Sequence, residues 1–376
     1  MTQDTCSPDA LGRALPGVRP CDHQGTGLPG SCRLETDQLE TLLELPAARC
    51  AETARMRGEP LQASAVRYHR FLLLEVPGPW GVSALDDSRM DAVISRQVTA
   101  AASAADTHVL LIRRPGRHPS ARSGAGPVAL AWAIADTSPG IERVLWGSWH
   151  EPADLLGLDL ASPIPEDCAA TGPQRLALVC TNGKRDQCCA VRGRPVAAAV
   201  SAATDWDTWE CSHLGGHRFA ATALLLPTGD MFGWLDPESA PKILQRFDAG
   251  QIVLSNYRGR CGQPAEVQAA LHIAAVRLGD YRRGAVQVTS LRPVPVPIPV
   301  LAGAGAGVPE HHADGGELEG EELWEAEVTH RPHSSQETAY RMTMARCPLA
   351  PTYLSCADDK PRVEIRYEAT AFARIR

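Results

Sequence analysis

The chain has 376 residues, is 44% apolar and carries a formal net charge of −7. That is enough for two packed domains, and with no Lys/Arg-rich block interleaved with aromatics it argues against a nucleic-acid partner. No apolar run reaches the roughly 18 residues a bilayer span needs. The N-terminal stretch MTQDTCSPDALGRALPGVRP has no apolar signal core, so a cytoplasmic protein with no membrane contact is expected. Twelve cysteines scattered through a chain without a secretion signal read as reduced thiols plus one ligand cluster, not as a disulfide framework.

Residues 1–30 are Pro/Gly/Asp-rich without periodicity, which predicts a disordered lead-in. Helical spacing of Leu and Ala runs over 37–56, interrupted by Pro46, which breaks or kinks a helix. RFLLLEV (70–76) reads as a buried strand entering a PGPWG turn, 90–105 as an Ala/Val/Ile-rich helix, and HVLLIRR (108–114) as a second strand. Residues 129–149 read as a hairpin about Ser138–Gly140, and EPADLLGLDL as a short helix with acidic residues and Pro in its first turn. The order then recurs. RLALVC (175–180) is a strand, PVAAAVSAAT (195–204) a helix that starts at its proline, and TWECSHLGGH a strand entering a Gly-rich loop. FAATALLLPTGDMFGWL (219–235) is a hairpin, and DPESAPKILQRF the closing helix.

Strand, helix, strand, hairpin, helix thus occurs twice, which predicts an internal duplication of one α/β unit. YRGRCG reads as a Gly-rich turn before a helix ending near Tyr281, and AVQVTSLRPV as a strand. Residues 293–322 combine Pro-X repeats, Gly/Ala and an acidic run, the composition of a linker. The segments ELWEAEVTHR, TAYRMTMARC and PRVEIRYEA within 323–376 alternate as a small β tail.

The chemistry concentrates between Leu176 and Asp236. Cys180, Cys188 and Cys189 fall in one predicted loop and Cys211, His213 and His217 in another. Thiolates and imidazoles converging from two loops suit an iron–sulfur cluster or a tetrahedral zinc ion, and Gly183, Gly215 and Gly216 leave room for close backbone approach. The first half has no matching pair, since His118 stands alone. A thioredoxin-type redox site would need C-x-x-C, which the chain lacks. Lys184, Arg185 and Asp186 are candidates to orient the ligand loop, and Arg218 a candidate contact for a partner protein. Cys6, Cys21, Cys32, Cys50, Cys261, Cys347 and Cys356 have no ligand-like spacing and read as structural or free thiols.

TNGKRDQCCAVRGRPVA followed by WECSHLGGHRFAATALLLPTGDMFGWL resembles the sucrase/ferredoxin-like family. EPLQASA, LLLEVPGPWG and YRGRCGQPAEVQAA extend the resemblance over roughly 60–290. The family's C-x8-C and H-x3-H pattern falls on Cys180, Cys189, His213 and His217, and its second cysteine, three residues after the Arg-Asp pair, selects Cys189 over Cys188. Cys188 and Cys211 remain as possible substitutes. The resemblance implies a thioredoxin-like ferredoxin fold holding a [2Fe–2S] cluster, with zinc the alternative occupant of the same four ligands.

The implied architecture is two tandem thioredoxin-like copies, 31–165 without a cluster and 166–292 with one. The expected function is one-electron transfer, coupled to a proton through a ligand imidazole. The alternatives are a zinc-stabilised binding module and a cluster-dependent reductase of a small substrate. GxGxxG after a strand is absent, so electrons are expected from a partner such as a flavoprotein reductase. That makes the chain more an electron carrier than an autonomous enzyme. No carboxylate pair in a glycosidase setting supports sugar hydrolysis.

Overall fold

The computed structural model describes residues 49–116, 129–294, 322–332 and 336–375. The 1–30 lead-in, most of the helix expected over 37–56 and nearly all of the 293–322 linker lie outside them. Thirteen strands among the described residues form two sheets. The large one holds β1 (Arg70–Glu75), β2 (Thr107–Arg113), β3 (Leu130–Asp136), β4 (Arg143–Trp149), β5 (Leu176–Cys180), β6 (Asp207–Cys211), β7 (Ala223–Leu226), β8 (Asp230–Phe232) and β9 (Tyr257–Arg260), in the order β4-β3-β1-β2-β6-β5-β7-β8-β9.

The pairing is the same on both sides of its middle. β1 runs parallel to β2 and antiparallel to β3, which pairs with β4, while β5 runs parallel to β6 and antiparallel to β7, which pairs with β8. The halves meet where β2 and β6 lie antiparallel, Ile112 opposite Cys211 and Arg113 opposite Glu210. One sheet therefore runs across the boundary expected at 165/166.

Strand alternation divides the core in two. Phe71, Leu73, Leu110, Ile112, Leu176, Leu178, Cys180, Trp209 and Cys211 face one side and form a core shared by both halves. On the other side Leu72, Leu74 and Leu111 pack with Val98 and Ala102 of α2 (Ala92–Ala104). Ala177, Val179 and Leu225 pack there with Val196 and Val200 of α3 (Gln187–Ala203) and with Ile243 and Phe247 of α4 (Ala240–Asp248). At the seam Arg113 pairs with Glu210 at 2.7 Å, and Thr181 Oγ1 donates to the same carboxylate at 3.0 Å.

Helix α3 begins eight residues before the expected start at Pro195. Asp186 caps it by accepting the Cys188 N–H at 2.8 Å, the role short polar side chains play at helix starts. Pro195 sits inside the helix. The N–H it lacks would have served the carbonyl of Val191, an exposed residue. Two other expectations shift. Pro152–Gly157 is a 3₁₀ turn, and the YRGR segment is the edge strand β9.

The second sheet runs β10 (Val286–Val294), β11 (Glu322–His330), β12 (Thr338–Pro348), β13 (Ile365–Arg374), antiparallel throughout. β10, placed by the sequence with the second unit, pairs with β11 of the tail. Ala269, Ala270 and Ala274 of α5 (Ala265–Leu278) cover it against Ala326, Val328, Met342 and Met344. Gln268 ties α5 to the large sheet by bonding both backbone groups of Ala65, at 3.1 and 3.2 Å. The short helix α1 (Cys50–Met56) is held to the β12–β13 connection, where Arg57 donates to the Ala350 carbonyl at 3.1 Å. Arg218 is buried, not exposed to a partner as its place in the sequence suggested. It pairs with Glu59 at 3.0 Å and Glu364 at 2.7 Å, joining the histidine loop to both flanking segments. Among the described residues no helix is long and apolar enough to cross a membrane.

Two substitutions test this packing. A Cβ on Gly193 would lie 2.1 Å from the Cys180 carbonyl oxygen, whereas one on Gly157 would meet nothing within 4 Å. Gly193→Ala should therefore cost about 1–3 kcal/mol in denaturant unfolding, as overpacked sites do. Gly157→Ala should stay within about 0.5 kcal/mol of the parent. Arg218→Gln should cost roughly 3 kcal/mol, the low end for orphaning a buried charge, because Arg57 at 3.7 Å still faces Glu59. A double Arg218→Leu, Glu59→Leu protein should recover part of that loss in the same measurement.

Candidate metal centre

Cys180 ends β5 inside the sheet, its N–H donating to Thr222 O at 3.0 Å while Thr181 N–H donates to Cys211 O at 3.0 Å. The chain then turns through Asn182–Asp186. Arg185 N–H donates to Asn182 Oδ1 at 3.3 Å, and Asn182 Nδ2 donates to Gly81 O in the first half at 3.1 Å. The cap at Asp186 starts α3, which puts Cys188 and Cys189 in its first turn instead of in a loop. Gly193, one turn on, lets the helix lie against the Cys180 carbonyl. Cys189 thereby joins Cys180 in the shared core, both nearly inaccessible.

The histidine loop continues β6 along β2. Ser212 N–H donates to Leu111 O at 2.8 Å and Leu111 N–H donates to Ser212 Oγ at 3.0 Å, so the first half sets where His213 lies. Gly215 and Gly216 both have left-handed backbones, and a Cβ on Gly216 would lie 2.6 Å from Arg258 Nη2. Only glycine meets both conditions. The fully buried Arg258 guanidinium holds the loop from below, donating to Gly215 O at 3.0 Å, to Ser64 Oγ at 3.0 Å and to Ser64 O.

Ligand-capable atoms of Cys180, Cys189 and His213 lie within 4.8 Å of one another. The His217 ring stacks on that of His213 with centroids 4.6 Å apart. Nδ1 of each histidine is buried and without a hydrogen-bond partner among the described residues. A buried ring nitrogen left so is costly unless something binds it, and with two thiols alongside the donor set fits a thiophilic metal group. The cysteines are buried and the histidines half-buried, so the group has a sulfur side in the core and an imidazole side toward the surface. His217, though stacked on His213, lies outside the close group; so does Cys211, one of the two possible substitutes, which lies opposite Cys180 in the β5–β6 register. Cys188 belongs to a different cluster.

The electrostatics favour ligation. The Cys189 thiol hydrogen-bonds Cys180 and holds it well below the usual thiol range despite complete burial, while Cys189 is itself raised. Burial raises Cys211, which keeps it a neutral thiol. Burial and the neighbouring His213 lower His217 to about 4, so it is a neutral imidazole ready to ligate at pH 7. Arg258 is lowered by burial to about 9 and keeps its charge, facing the field of both cysteines. His108, which the sequence reading passed over, lies in β2 with its ring against the His213 carbonyl and stacked on Tyr68 at 4.3 Å. Burial lowers it to about 4.

Cys188 sits instead with Cys50, Cys356 and Asp186, whose ligand atoms also lie within 4.8 Å of one another. The sequence reading had set Cys50 and Cys356 aside. They are 306 residues apart, and no local spacing could connect them.

No curated protein and no solved structure matches the chain. The profile of the sucrase/ferredoxin-like family matches residues 61–259, just over half of it. That span runs from before β1 into β9 and includes Cys180, Cys189, His213 and His217, while Cys50 and Cys356 fall outside it. The chain belongs to the sucrase/ferredoxin-like family.

Proposed function

We propose that the protein is an electron carrier in which Cys180, Cys189, His213 and His217 hold a [2Fe–2S] cluster. The observation that carries the reading is the convergence of Cys180, Cys189 and His213 within 4.8 Å, with His217 stacked beside them. The repeated strand pairing supports two thioredoxin-like units, joined edge to edge, with the ligands in the second only. When bound, the cluster would supply one-electron exchange at a potential raised by its two neutral imidazoles relative to an all-thiolate set.

The chain's own residues set the terms of that exchange. Cys180 and Cys189 bind from the dry side and exclude water. His213 and His217 face the surface, and on each ring the nitrogen that does not ligate holds a proton able to leave as the charge of the site changes. Arg258 offsets negative charge beneath the loop. Electron exchange would run on the side of His213 and His217, which are less buried than the two cysteines. Exposed Lys184, Arg185 and Arg194 line a cleft of about 630 Å³ next to the ligand turn. They suit the acidic surface of a redox partner, such as a flavoprotein reductase, drawn in by opposite charge. Reduced buried thiols suit a cytoplasmic place of action.

Protein purified without air should be brown, and the dithionite-reduced sample should give an EPR signal. His213→Ala and His217→Ala should shift its g-values or lose it, and Cys189→Ala should lower bound iron roughly tenfold or more. A colourless protein that binds zinc through these four residues would replace the reading with a zinc-stabilised binding module. The reduction potential should fall as pH rises through the imidazole range. A potential flat from acid to alkaline pH would remove the proton from the mechanism and leave the electron transfer standing.

A further inference from the structure

Three thiols outside that centre form a nearly equilateral triangle. Cys50 Sγ and Cys188 Sγ are 3.6 Å apart, Cys188 Sγ and Cys356 Sγ 3.6 Å, and Cys356 Sγ and Cys50 Sγ 3.5 Å. The Asp186 carboxylate closes the group, with its oxygens 3.5 and 3.7 Å from Cys50 Sγ. A tetrahedral zinc with Zn–S near 2.3 Å places its sulfurs about 3.8 Å from one another, so the triangle has the size of one tetrahedral face. It is too wide for a disulfide, whose sulfurs lie about 2.05 Å apart, and a disulfide would leave the third thiol without a role.

The surroundings are those of a ligand set. Cys50 N–H points at Cys356 Sγ at 3.4 Å, and the Ala51 N–H points at Cys188. Asp186 is oriented by the Cys188 and Cys356 N–H groups, both at 2.8 Å, and by Ser355 Oγ at 3.0 Å. Such fixing of a carboxylate accompanies metal ligation.

We propose that Cys50, Cys188, Cys356 and Asp186 bind one zinc ion in a closed, structural four-ligand site, separate from the centre at Cys180. Cys188 and Cys189 are neighbours on α3 yet serve different sites. Cys189 enters the shared core and Cys188 packs with Cys50, Ala51 and Ala220. The ion staples α1, the start of α3 and the β12–β13 connection, segments 138 to 306 residues apart in the chain. Two of its ligands, Cys50 and Cys356, lie outside the family match and two, Asp186 and Cys188, inside it, so the site joins the matched region to both of this chain's flanks.

Elemental analysis of the full chain purified without air should find about one zinc per chain in addition to iron. Cys50→Ser and Cys356→Ser should each lower zinc roughly tenfold or more while leaving iron and the visible spectrum in place. Cys189→Ala should do the reverse. Because the first centre also accepts zinc, cobalt(II) is titrated into full-length Cys180→Ala, Cys189→Ala protein stripped of its zinc, where thiolate-to-cobalt charge transfer and tetrahedral d–d bands should appear. Wild-type protein that takes up no zinc, zinc retained in both serine variants, or a disulfide among these cysteines in anaerobic protein would each overturn the site. Should the serine variants fail to fold, the cobalt titration decides alone, and absence of charge transfer counts against the proposal.

Discussion

A thiol can wait at ligand distance from another only if the backbone carrying each is fixed, and here both depend on one contact. The second turn of α3 lies against the end of β5, backbone to backbone, at Gly193 and the Cys180 carbonyl. That contact places Cys189 beside Cys180, and Asp186, which caps the helix, starts the turn at the right residue. A side chain at 193 would push the helix away and separate the sulfurs. The missing N–H of Pro195 and the long helix that contains it are tolerated around this contact.

The first half of the sheet has no ligands in the candidate centre, but it is not idle. It supplies Leu111, whose backbone exchanges bonds with Ser212, and Gly81, whose carbonyl receives Asn182. These fix the histidine loop and the cysteine turn from the same side. The seam between β2 and β6 matters accordingly, since Arg113, Glu210 and Thr181 pair there and a slip of register would move His213 relative to Cys180. A unit that repeats the strand pairing without ligands is thus a positioning element for the one that has them.

Much of this was legible in the sequence because it rests on local pattern. The apolar runs at Phe71–Leu74 and Leu176–Val179, the hairpins at Ser138–Gly140 and Pro227–Asp230 and the Gly-rich histidine loop all declare themselves within a few residues. The extent of α3 was not legible, because Pro195 reads locally as the first residue of a helix, whereas the cap at Asp186 starts α3 eight residues earlier. β9 was not, because a Gly-bearing edge strand reads as a turn until β8 pairs with it. Neither was the Cys50–Cys188–Cys356 triangle. Its members share no spacing, and the vicinal Cys188–Cys189 pair, its one visible sign, looked like redundancy within a single site.

The two clusters together gather five thiols and a carboxylate around one end of α3, which raises the question of what makes so much potential negative charge tolerable. Part of the answer is geometric. The Cys188 and Cys189 N–H groups at the start of a seventeen-residue helix donate to Asp186 and carry the positive end of its dipole. Part is Arg258, the one guanidinium of the described residues that is fully buried at this site, which keeps its proton against the cost of burial and feels both Cys180 and Cys189. Arg218 adds a second cation, but Glu59 and Glu364 spend its charge on holding the loop in place. What these groups leave uncompensated is what a metal would neutralise. By contrast, an isolated buried thiol packs elsewhere in the fold as a neutral, weakly polar side chain, as Cys261 does against Thr137.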